Sequence, residues 1–86
     1  MPEVSRFYGI RIVMYPNDHH PPHFHALYAG DDAIVEINPI RVRSTNLPKR
    51  ALSLVLEWAA LHQEELWDHW NRVRAGQEAS RIPPLP

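Results

Sequence analysis

The feature that most constrains this chain is a single change of hydrophobic period near its middle. Up to Arg43 apolar and polar side chains alternate at period two, and from Leu47 the apolar ones recur at helical spacing. A chain of 86 residues that switches period once has room for a small sheet and one helical layer. The fold class read from this is α+β. We expect a three- to four-stranded antiparallel sheet in ββββαα order, with two C-terminal helices, or one bent helix, packed on one face. No repeat or linker interrupts the pattern, so residues 1–86 read as one domain.

Residues 7–15, FYGIRIVMY, read as a first strand that ends at Pro16 and the turn-forming Asn17-Asp18. On it Tyr8, Ile10, Ile12 and Met14 share one face, and Arg11, Val13 and Tyr15 the other. HFHALY (23–28) alternates again, AGDD (29–32) reads as a turn, and AIVEI (33–37) completes a hairpin. IRVR (40–43) is the expected fourth strand, near an edge because Pro39 precedes it. The strands therefore span about 7–43. Helices are expected over about 48–75, with Pro48 in the first turn, Asn46 close enough to cap, and Gly76 as the stop. Ala51, Leu54, Val55, Trp58, Leu61 and His62 form one stripe. Beyond His62 the stripe rotates toward Leu66, Trp70 and Val73, which predicts a break or bend near 62–64. The proline-rich residues 77–86 read as an extended tail.

Composition removes several function classes. With no cysteine, disulfides and thiolate metal sites are excluded. A formal charge of −1 gives no global basic field, so any nucleic-acid contact must come from a local strip. Arg6, Arg11, Arg41, Arg43, Lys49 and Arg50 are the residues available for one; solvated charges on an edge are the simpler account of them. The N-terminus lacks the pattern of a signal peptide and no apolar run is long enough to span a bilayer. The expectation is a cytoplasmic protein with no membrane contact.

NDHHPPHFHA (17–26) holds four of the six histidines within seven positions. His23 and His25, two apart on a strand, project from one face with Phe24 opposite. That face also carries Arg11, Tyr15 and Glu36 and is expected to be wet. Pro21-Pro22 stiffens the approach and returns Asp18 and His19 over the start of the strand. Three readings follow. Asp18, His19, His23 and His25 suit a zinc-like divalent metal. Alternatively, His23, His25 and His19 near Arg11 and Glu36 form a metal-free acid–base site for RNA cleavage. Or the imidazoles satisfy backbone groups and simply shape the loop, the reading favoured for His20. Trp67 and Trp70 lie on a helix whose apolar face is wider than four strands can cover, which points to a protein interface.

Two strings carry a family resemblance. Asp18, His19, Pro21, Pro22, His23, Phe24 and His25 form D-H-x-P-P-H-F-H, and Trp58, Leu61, His62, Glu65 and Leu66 form W-x-x-L-H-x-x-E-L. From Ser5 to about Arg74 the chain resembles the bacterial family catalogued as domain of unknown function 4160. The resemblance implies a small protein encoded beside a second one in a toxin–antitoxin-like layout, and it supplies no activity. Leu27 departs from the pattern, standing where a charged residue is usual. The function expected from all this is one half of such a pair, acting through a small cognate protein encoded nearby or as a homo-oligomer. The alternative is a histidine-dependent ribonuclease or metal-binding protein, with RNA or DNA as the partner.

Overall fold

A computed structural model describes residues 3–86. Five strands, β1 (Glu3–Phe7), β2 (Ile10–Val13), β3 (His23–Tyr28), β4 (Asp31–Ile37) and β5 (Ile40–Thr45), precede α1 (Lys49–Leu61) and α2 (Gln63–Arg74). The sheet is an antiparallel meander in the order β1-β2-β3-β4-β5. The class is α+β as expected, but the sheet has five strands, not three or four, in βββββαα order. The missing strand lay hidden in FYGIRIVMY. Tyr8 and Gly9 both adopt positive φ, +50° and +79°, so the run folds back on itself as a two-residue hairpin turn. Ala29 and Gly30 repeat the geometry at +51° and +86°. The second turn is thus tighter than AGDD implied, and Asp31 and Asp32 belong to β4.

One face of the sheet is the core. Ile10, Ile12, Phe24, Ala26, Val35 and Ile37 point into it and are wholly buried. Trp58 of α1 is also fully buried. Its ring lies 5.4 Å from Phe7 and 5.8 Å from Phe24, and its Nε1 donates to the carbonyl of Pro83 at 2.9 Å. That bond ties down the tail, in which Ile82 and Leu85 are buried and Ile82 N–H donates to the Val4 carbonyl. The extended tail therefore covers the β1 edge, whereas β5 keeps an exposed edge lined with charge.

The helix breaks at His62 without Gly or Pro. His62 has φ −122°, and Gln63 Nε2 donates to the Ile37 carbonyl at 2.8 Å, which anchors the start of α2 to the end of the sheet. Glu64 and Glu65 in its first turn and Arg72 and Arg74 in its last suit the helix dipole. Asn46 does not cap α1; its side chain bonds Asp31 and the Asp32 N–H instead. Trp70, expected at an interface, is buried, and only Trp67 stays exposed.

Truncating the central ring tests this core. Trp58→Ala should cost about 3–5 kcal/mol, most of what a domain this small possesses, measured as the loss of the urea unfolding midpoint. A loss below about 1 kcal/mol would show that the tail and α1 are not held as described.

Candidate metal centre

The site begins with the alternation of β3. Phe24 and Ala26 enter the core, so His23 and His25 emerge on the opposite face, where His23 pairs across the ladder with Glu36, and His25 with Val13 and Ile34. Segment 16–22 folds over this face. Asp18 N–H donates to the Tyr15 carbonyl at 3.2 Å, and Ile37 N–H donates to the Pro22 carbonyl at 3.1 Å. Arg74, in the last turn of α2, donates to the Asp18 carbonyl.

One carboxylate oxygen receives both imidazoles. Asp18 Oδ2 lies 3.1 Å from His23 Nε2 and 3.0 Å from His25 Nε2, and the three atoms are mutually within 4.8 Å. His23 Nδ1 stands 2.8 Å from the carbonyl of Pro21. A carbonyl only accepts, so Nδ1 carries the proton, and Nε2 then faces the carboxylate with a lone pair unless a second proton or a cation stands between them. Donors of a tetrahedral ion with bonds near 2.1 Å stand about 3.4 Å apart, and the 3.1 and 3.0 Å separations from Asp18 Oδ2 lie close to that. A carbonyl bonded to one ring nitrogen fixes the orientation of the other, as outer partners of imidazole ligands do.

Of the residues singled out from the sequence, Asp18, His23 and His25 come together. His19 is exposed and outside the cluster. His20 also lies outside the cluster, and its ring packs on Trp70 at 5.8 Å, a role in shaping the loop. The face is not uniformly wet: His23 is only 4% exposed, with the Trp70 ring 5.4 Å away, while the side chains of His25 and Asp18 are 18% and 27% exposed. Arg11 turns away from the triad to Glu3, and Glu36 is taken up by Arg41 and Arg43. Sequence reasoning missed Trp70 and the Pro21 carbonyl as supports; a doubled proline before H-x-H was the only signal for the latter.

The model of a family described as a domain of unknown function, DUF4160, matches residues 9–71. The chain belongs to that family. No curated protein and no solved structure matches it. Within DUF4160 the matched segment holds the whole triad together with Trp70, and it leaves out β1 and the tail.

Three groups among the described residues are shifted from their ordinary titration. Hydrogen bonds from Arg6 first, and then Arg11, prevail over burial and hold the Glu3 carboxyl below its ordinary range, helped by the charges of Arg6 and Arg81. Burial works against the charge of Glu36, but Arg43 and Arg41 together outweigh it, and its carboxyl too is lowered. His69 of α2 is lowered by burial, against a hydrogen bond with the Ser80 backbone and the nearby charge of Asp68; its Nδ1 has no partner among the described residues.

The stabilisation from Glu3 and Glu36 is present above about pH 4.5 and is lost as pH falls through their lower folded values. His69 takes up its proton first in the unfolded chain, so stability declines as pH drops below about 6.5. The melting temperature should therefore fall between about pH 7 and 5 more steeply for the native chain than for His69→Gln. Parallel curves would rule out His69 as the cause.

Proposed function

We propose that this DUF4160 protein binds a divalent transition-metal ion, zinc or a similar borderline cation, through His23 Nε2, His25 Nε2 and Asp18 Oδ2. The observation that carries this reading is the bond from His23 Nδ1 to Pro21, which turns the other ring nitrogen toward the carboxylate oxygen that His25 also reaches. Two imidazoles and a carboxylate are the donors such ions accept. Three protein ligands leave a coordination position for water or substrate, and the partial exposure of His25 and Asp18 gives access to it. A centre of this kind supports hydrolysis at the open position.

Titrating the metal-stripped, untagged chain with zinc, and with cobalt for its absorption spectrum, tests the reading. We expect binding with one ion per chain. His23→Ala, His25→Ala and Asp18→Asn should each weaken it by more than the ~10–100-fold that loss of an outer hydrogen bond costs, and His19→Ala should leave it unchanged. Equal affinity in the His23/His25 double variant would defeat the proposal and favour the metal-free acid–base pair.

A second reading, one component of a toxin–antitoxin-like pair or a homo-oligomer, is favoured by a separate patch. Trp67 is 43% exposed and borders a shallow groove with Ile37, Asn38, Gln63 and Glu64. Light scattering on the chain, alone and mixed with the product of the neighbouring gene, should show an assembly that Trp67→Ser weakens. A monomer under both conditions would end this reading.

A further inference from the structure

We infer that the sheet face opposite the core binds a single-stranded nucleic acid, its phosphodiester backbone passing over segment 16–22 between two exposed arginine hubs that flank the Asp18–His23–His25 triad. This goes beyond metal binding and stands on the hubs and on Tyr15, independently of any metal. In the first hub the Glu3 carboxylate takes Arg6 Nε at 2.9 Å, Arg11 Nε at 3.2 Å and a terminal nitrogen of Arg81 at 3.3 Å. In the second, Glu36 takes a terminal nitrogen of Arg41 at 3.3 Å and Arg43 Nε at 3.2 Å. Cations outnumber the carboxylate in each hub, three to one and two to one. Cationic charge is thus gathered on one face of a chain whose net charge is −1. Among the described residues of the strands and of segment 16–22, the other acids on this face are Asp18, within the triad, and Asp32, at the far end by the β3–β4 turn.

The way the hubs are made leaves donors over. Glu3 engages Arg6 and Arg11, and Glu36 engages Arg43, through Nε, so the two terminal amino groups of each guanidinium remain for a ligand. Arg41, Arg6 and Arg81 also have the most exposed side chains of the set, at 71%, 57% and 60%. Anchored guanidiniums of this kind are already ordered, so an anion that meets them loses less side-chain entropy on binding.

Spacing selects the class of anion. Glu3 and Glu36 sit on β1 and β4, three inter-strand steps apart, or about 14 Å. One phosphate cannot touch both hubs, whereas a backbone carrying a phosphate on every unit can. Between them, Tyr15 lies edge-on to His25 with 4.9 Å between ring centroids and is 36% exposed, so an aromatic platform stands beside the path of the backbone. A charged track with an aromatic platform is how unpaired strands are held.

The test is fluorescence anisotropy of a labelled twelve-nucleotide single-stranded RNA with the full chain, with chelator and with zinc. Three or four phosphate contacts predict a log–log salt slope of about −2 to −3, a loss of roughly 20- to 50-fold between 50 and 200 mM salt. Arg41→Gln and Arg81→Gln should each flatten the slope by about 0.7. Tyr15→Leu should weaken binding about five- to 150-fold at unchanged slope. The proposal is overturned if no saturable binding occurs at the lower salt, or if the arginine variants bind like the native chain. Equal affinity for a duplex of the same sequence, or equal competition by inorganic polyphosphate, also overturns it. The zinc titration judges the metal reading separately: RNA binding that survives chelation keeps this inference even where that reading fails, and zinc binding without RNA binding does the reverse.

Discussion

The candidate site depends on the register of β3. Phe24 and Ala26 are wholly buried on the core face, with Phe24 packed edge-on to Trp58. A slip of one residue would bring His23 and His25 into that core and expose the phenyl ring. Imidazoles placed there without partners would carry a desolvation cost, and the ring would lose its burial, so both terms oppose the slip. The packing of one face thus decides which side chains the other face presents. The hydrophobic effect, which has no direction of its own, here sets the direction of two ring nitrogens.

The carboxylate is placed by other means. Asp18 belongs to no strand, and its position comes from the segment 16–22 and from α2. The Tyr15 carbonyl holds its N–H, Arg74 holds its carbonyl, and Trp70 packs on both His20 and His23. Arg74 also lies over the Trp70 ring, 5.5 Å from its centroid, so one turn of α2 secures the loop through its backbone and through its rings. Because α2 is in turn anchored to the sheet end through Gln63 and Ile37, loop, helix and sheet form one mechanical unit around the triad.

How much of this was legible in the sequence divides along physical lines. The strand carrying HFHALY and the opposition of Phe24 to the two histidines were legible, because a period of two needs only local information. The rotation of the stripe past His62 likewise marked the helix break, though no breaker residue stands there. Tyr8-Gly9 was not read as a turn, since the apolar residues on either side keep alternating through it and only the positive φ of both residues reveals the hairpin. Burial of Trp70 and His23 was hidden for another reason. It depends on how α2 swings at His62 and meets the loop over the sheet, a contact between segments nearly fifty residues apart. The ligand types in the loop were visible, but which of Asp18, His19 and His20 would face the strand was not, because adjacent loop residues carry no periodicity to sort them.

The net charge of −1 concealed the arrangement of the arginines for a related reason. A sum over the chain is blind to the sheet pairings that set Arg6 beside Arg11 and Arg41 beside Glu36. The two hubs also differ in origin. Glu36, Arg41 and Arg43 lie inside the segment that matches DUF4160, whereas Glu3, Arg6 and Arg81 come from the strand and tail outside it. Those two outer pieces are joined by the Ile82–Val4 backbone bond and by the Arg81–Glu3 pair, which places the tail's charge on the same sheet face as Arg11. The tail that covers the β1 edge therefore also completes one side of the cationic rim, so edge protection and the charge of the open face arise from the same few residues.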